Sequence, residues 1–170
     1  MPETVNKPVF LVDANSEPVV VQIQGRACFQ NSPCLRDFFT EMLARGKKSF
    51  VIDFAQCASM DSTFLGVIAG LALELKKTVP GASLVATRMG ARNLELVRSL
   101  GLHRLLIVDS GDAPAMLNPG ATALECAHHT ELENARIVLE AHENLVAADE
   151  GNRAKFQDVL AFLKNRVEQK

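Results

Sequence analysis

Phe50-Val-Ile-Asp-Phe-Ala-Gln-Cys-Ala-Ser-Met-Asp-Ser-Thr-Phe-Leu-Gly-Val-Ile-Ala-Gly70 places an apolar strand, a polar corner and an apolar helix in immediate succession. Ser49 to Phe54 is a continuous apolar run around Asp53, the pattern of a strand buried on both faces. The helix runs from Ser62 to about Thr78, and Asp61-Ser62-Thr63 sits at the junction. Ser62 or Thr63 is placed to cap the helix, and Asp61 is favoured beside its positive end. Gly66 and Gly70, four residues apart, allow one face of this helix to lie close against a neighbour. A helix seated that firmly presents its first hydroxyls beyond the carboxyl end of a strand, where open α/β sheets meet ligands and partners. A phosphate added there brings roughly −1.5 to −2 charges, enough to change what the surface binds without changing the fold.

Outward from this stretch the pattern repeats. Pro8 to Asp13 and Val19 to Gln24 read as two strands joined by the turn Ala14-Asn-Ser-Glu17, with Gly25 as the stop. Asn31 or Ser32 is placed to cap a helix from Pro33 to Arg45, whose Leu35, Phe38, Phe39, Met42 and Leu43 recur at helical spacing. Beyond Pro80-Gly81 come a strand (Ala82 to Ala86), an amphipathic helix (Gly90 to Ser99) stopped by Gly101, and a last strand (Leu105 to Val108). Strands separated by helices predict an α/β fold: a mixed, mostly parallel sheet of four to five strands with packed helices.

Ser110-Gly-Asp-Ala-Pro114 and Asn118-Pro-Gly120 break the composition, so the chain divides into a first domain at 1–112, a linker at 113–127 and a C-terminal helical hairpin at 128–170. In the first of its helices Leu132, Ala135, Leu139, His142 and Val146 are expected to share a face; in the second, Phe156, Val159, Leu160, Leu163 and Val167. Each apolar stripe has to be buried, either on the first domain and the other helix or in a homodimer or partner interface.

The 170 residues carry a net charge of −2, nine Phe and no Trp or Tyr. Scattered cations and few aromatics speak against nucleic acid. The longest apolar run, Phe64 to Leu73, is too short to span a membrane, and Met1-Pro-Glu-Thr-Val-Asn-Lys has no signal-peptide core, so the cytoplasm is the expected location. Cys28, Cys34, Cys57 and Cys126 form no C-x-x-C pair and read as reduced, partly buried thiols, with an exchange between Cys28 and Cys34 as the competing possibility. His128-His129 with Glu131 and Glu133 lack further ligands at metal-site spacing, and His103 and His142 read as surface or edge residues. No nucleophile elbow surrounds Ser62, no phosphate-binding glycine loop occurs, and Asp53 and Asp61 are not marked as an acid/base pair; no enzyme and no cofactor are expected.

Asp61-Ser62-Thr63-Phe64-Leu65-Gly66 resembles the Asp-Ser-Ser/Thr-Gly-Leu-Gly motif of the STAS domain, the fold of bacterial anti-sigma factor antagonists. Val51-Ile-Asp-Phe54, Gly25 and Gly90 to Leu102 match the flanking strand, the second-strand glycine and the third helix of that family, over roughly residues 8 to 110. The resemblance implies a STAS-type sheet and a regulatory module that docks on a protein. Its phosphoacceptor would be Ser62, with Thr63 as second candidate, and the phosphate donor a partner serine kinase, the anti-sigma factor. Asp61, Ser62, Thr63, Phe64 and Arg26 would form the partner surface. Two departures stand out: Phe64 replaces the motif glycine, and the acidic stretch after the second strand reads Gly25-Arg-Ala-Cys-Phe29. Phe64 is then either buried or an apolar anchor on the docking surface. STAS-like domains also serve as non-switching scaffold subunits of transport or stress-signalling assemblies, a role that Phe64 and the added helices favour.

Overall fold

The computed structural model describes residues 9–78, 81–109 and 121–168. Strands β1 (Phe10–Asp13), β2 (Val19–Ala27), β3 (Ser49–Met60), β4 (Ser83–Thr87), β5 (Ile107–Asp109) and β6 (Thr122–Ala123) form one sheet in the order β5-β4-β3-β2-β1-β6. From β2 to β5 the strands are parallel; β1 pairs antiparallel with β2 and β6. Helices α1 (Ser32–Ala44), α2 (Ser62–Thr78) and α3 (Ala91–Ser99) connect the parallel strands, and α4 (Glu131–Ala148), α5 (Asn152–Lys155) and α6 (Gln157–Glu168) follow β6. The α/β architecture agrees with the expectation, with the edge strand β6 added. Of the linker expected at 113–127, residues 113–120 lie outside the described residues, as do Pro80 and the breaks at 110–114 and 118–120.

Several expectations need correction. Gly25 does not end β2: it takes a φ of 97° and lies at a register shift against β3, so the strand bends and continues to Ala27. Asn31 does not cap α1 with its side chain; its amide joins Cys28 N–H and Arg26 C=O across the preceding turn. Strand β3 is not sealed on both faces. Phe50, Ile52 and Phe54 are buried, and Phe39 of α1 meets Phe50 edge-on at 5.8 Å, whereas Val51 on the opposite side is partly exposed. The one polar residue sealed in that strand, Asp53, is paired with the guanidinium of Arg88, whose Nε donates to Oδ1 at 3.0 Å.

The C-terminal helices pack on the first part of the chain. Ala141 and Leu145 of α4 belong to the same buried cluster as β2, β3 and α2. A β-carbon on Gly66 would overlap the Ala141 carbonyl, and one on Gly70 the Asn144 side chain, so the two glycines are the groove that receives α4. Asn144 Nδ2 donates to the Gly66 carbonyl at 3.2 Å. The stripe of α4 is rotated from the one expected: Ile137, Ala141, His142, Leu145 and Val146 are buried, while Leu132, Ala135 and Leu139 are only partly covered. On α6, Leu160 and Leu163 are buried but Val159 is exposed. Asn152, 1 % exposed, donates to the carbonyls of Leu100 and Leu145 at 2.9 and 2.8 Å, tying the turn after α4 to the end of α3. Asn152→Ala removes both bonds, although the Leu145 carbonyl keeps the Asp149 N–H, and is expected to lower stability by about 2 kcal/mol, read by urea unfolding.

Candidate functional site

Ala27 and Met60, the last residues of β2 and β3, are paired, so the two strands leave the sheet side by side. Asp61 follows, its N–H donating to the Ala27 carbonyl at 3.1 Å. Its carboxylate has two partners. Oδ1 accepts the Phe64 N–H at 2.9 Å and so caps the first turn of α2. Oδ2 accepts the Phe29 N–H at 2.7 Å and so fixes the loop after β2 against the start of the helix. The cap expected from Ser62 or Thr63 is therefore Asp61, because a carboxylate one residue outside the helix satisfies an orphan N–H and complements the positive end together.

With the cap assigned elsewhere, the neighbouring side chains take different positions. Thr63 is 4 % exposed and Phe64 fully buried. Phe64 stacks on Phe10 at 6.3 Å and meets Phe54 edge-on at 6.4 Å. It is a core residue and not a surface anchor, and Thr63 offers no accessible hydroxyl. Ser62 alone of the three motif hydroxyl and aromatic side chains is partly exposed. Arg26 and Phe29 are exposed nearby on the loop that Asp61 fixes, Phe29 by 53 %. The sequence already contained Phe29 within the stretch that departs from the family pattern; an aromatic in a loop beside a cap is its only signal.

Ser62 Oγ lies 2.9 Å from Nε2 of His142 on α4. His142 Nδ1 lies 2.8 Å from the Val138 carbonyl. A carbonyl only accepts, so Nδ1 carries a proton, and in the neutral ring Nε2 then accepts the Ser62 hydroxyl proton. The ring is 3 % exposed and meets Phe156 edge-on at 5.1 Å. His142 is thus a buried partner of the motif serine and not the surface or edge residue expected. Ser62→Ala leaves the buried Nε2 without a donor and is expected to cost about 1–2 kcal/mol, measured as a shift in the thermal midpoint.

The cysteines also depart from expectation. Cys34 of α1 is bonded to Cys126, across 92 residues of sequence; Cys28 and Cys57 are free and buried. The pair considered from sequence, Cys28 with Cys34, does not form. Burial pushes the Cys57 thiol from 9.0 up to about 11. Its folded-state value is raised, so the associated stability is intact below the ordinary value and is lost as pH rises towards about 11. Native Cys57 should accordingly react with iodoacetamide on the order of 100-fold more slowly than an exposed thiol at pH 8, as peptide mass spectrometry would record. His129 Nε2 reaches Asp37 Oδ2 at 2.9 Å. Among the described residues no group of three or more His, Cys, Asp or Glu side chains converges as a metal site would need. A cavity of about 590 Å³ opens between α1, α2 and α4 beside Gly70 and Asn144, with Phe39, Leu43, Leu71 and Ile137 in its lining.

Residues 10–109 match the family described as Mlab, STAS domain. A solved structure of similar fold is reported as the structure of the anti-sigma factor antagonist SpoIIAA in its unphosphorylated form. The similarity has 15 % identity and a TM-score of 0.51, and covers 60 % of this chain and 88 % of that one. Among curated proteins, none matches the chain. No helix among the described residues is long and apolar enough to cross a membrane.

Proposed function

Because the chain belongs to the STAS-domain family, we propose that it is a regulatory protein-binding module, anti-sigma factor antagonist-like, switched by phosphorylation of Ser62 at the start of α2. It acts by docking and not by catalysis, in the cytoplasm, and its partner is an anti-sigma factor-like serine kinase or another signalling protein. The observation that carries this reading is the division of labour at Asp61-Ser62. Asp61 takes over the helix cap, which leaves the hydroxyl of the partly exposed Ser62 free of any backbone duty and bonded to His142 alone. Arg26 and Phe29 flank it as a cation and an exposed aromatic, the side-chain types that anchor protein interfaces. A dianion on Ser62 would add desolvation cost and repel carboxylates of a docked partner.

One observation favours the second reading, a non-switching scaffold subunit of a transport or stress-signalling assembly. The Ser62 hydroxyl is occupied by His142, and α4 lies along the face of α2 that follows the motif. The two readings separate in one experiment. The chain is incubated with its partner kinase and ATP, phosphate is mapped by mass spectrometry, and the affinity of the Ser62→Asp variant for that partner is measured. Phosphate on Ser62 and at least a tenfold weaker complex for Ser62→Asp support the switch. An unmodified Ser62 with unchanged affinity in the variant supports the scaffold.

A further inference from the structure

The α1 end of α4 is held by one covalent contact, one hydrogen bond and one ion pair. Cys34, 5 % exposed on α1, is bonded to the exposed Cys126, with a Cα–Cα distance of 4.8 Å. His129 reaches Asp37 at 2.9 Å, and Arg36 reaches Glu140 at 3.0 Å. The Arg36 and Glu140 side chains are 38 and 50 % exposed, so that ion pair contributes little in water, whereas the His129–Asp37 contact is partly covered. What remains is the apolar stripe of α4 on α2 and two hydrogen bonds, His142 with Ser62 and Asn144 with the Gly66 carbonyl. The disulfide is a covalent constraint on the segment that leads into α4 and brings it to the motif serine.

We propose that Cys34–Cys126 is a thiol–disulfide exchange site for a dithiol reductant, and that opening it loosens α4 from α2 and releases the Ser62 hydroxyl. The release of Ser62 matters for signalling only if the phosphorylation reading above holds; the exchange itself stands independently of it. The reductant's thiolate attacks Sγ of Cys126, the exposed residue of the pair. The Cys34–Cys126 bond breaks, and Cys34 leaves as a thiolate and takes up a proton. The reductant's second thiol then attacks the mixed disulfide, releasing Cys126 as a thiol. Two electrons pass to the cysteine pair, and the reductant ends as a disulfide. The remaining thiols do not interfere: Cys28 and Cys57 are buried, and Cys57 is held in its neutral form. In a reducing compartment the pair rests open, and oxidation closes α4 over the serine.

The test uses the full chain, oxidised, reduced with dithiothreitol, and as the Cys126→Ser variant, which alters an exposed position. Hydrogen exchange is followed over α4 and over β2 and β3, with ring-nitrogen NMR of His142 as the reporter of the Ser62 bond. Reduction and Cys126→Ser are both expected to raise amide exchange in Glu131–Ala148 by on the order of tenfold or more, to change the His142 Nε2 signal, and to leave β2 and β3 unaffected. Identical exchange in oxidised and reduced protein would overturn the proposal. So would four free thiols after air oxidation, or an equal acceleration everywhere, which would make the bond a global staple. Redox-dependent exchange in α4 without phosphate on Ser62 would overturn the phosphorylation reading and leave the exchange site standing.

Discussion

Phe64→Ala is expected to lower the unfolding free energy by about 3–5 kcal/mol, the largest loss of any single change at the motif. The side chain has no exposed surface and is enclosed by Phe10 of β1 and Phe54 of β3. Truncation removes both ring contacts and leaves a cavity that strands and helix cannot collapse to fill. For a chain of this length such a loss corresponds to a fall in thermal midpoint of about 6–20 °C. A surface anchor would behave differently: its removal would weaken a partner complex and leave the melt within about 0.5 kcal/mol. A thermal melt of Phe64→Ala beside Phe29→Ala, which removes an exposed ring on the same rim, therefore assigns the two aromatics to their separate roles. An unchanged melt for Phe64→Ala would contradict the packing described.

Gly66→Val is expected to cost about 3 kcal/mol and to act on one place, the seam between α2 and α4. Any side chain at Gly66 meets the backbone of Ala141, which cannot rotate aside as a long side chain would. Either α4 moves outward, breaking the Asn144–Gly66 and Ser62–His142 bonds, or α2 deforms in the core. The first outcome is the less costly, because α2 is held by the sheet and α4 is not. Hydrogen exchange should consequently accelerate in Glu131–Ala148 before it does in β3. Gly90→Ala is the control: a β-carbon there meets nothing within 4 Å and the backbone has a negative φ of −66°, so only a small change is expected. Equal melts for the two variants would sink the idea that the glycine pair receives α4.

Much of this architecture was legible because it is written in periodicity and in small residues. The apolar run ending at Phe54, the corner at Asp61-Ser62-Thr63 and the helix to Thr78 are local patterns, and local patterns are what a sequence displays. The Gly66–Gly70 spacing announced a close neighbour, though not which one. What stayed hidden depends on contacts far apart in the chain. Asp61 outcompetes Ser62 as the cap because β2 and β3 end together and place the Phe29 N–H within its reach. Hydropathy alone puts Leu132, Ala135, Leu139, His142 and Val146 on one face of α4, of which His142 and Val146 are buried, whereas a glycine groove selects the small Ala141 as the point of nearest approach. His142 looked solitary because its partner lies 80 residues away, and Cys126 because its partner lies 92 residues away.

The seating of α4 on α2 turns any docking event at that face into a competition with a ligand that never diffuses away. A tethered segment acts at an effective concentration of roughly millimolar or more. A visiting protein present at about micromolar levels must then bind α2 about a thousandfold more tightly than α4 does before it displaces it, or else approach from the uncovered side, where Arg26 and Phe29 stand clear. The chain thereby sets its own threshold for being engaged.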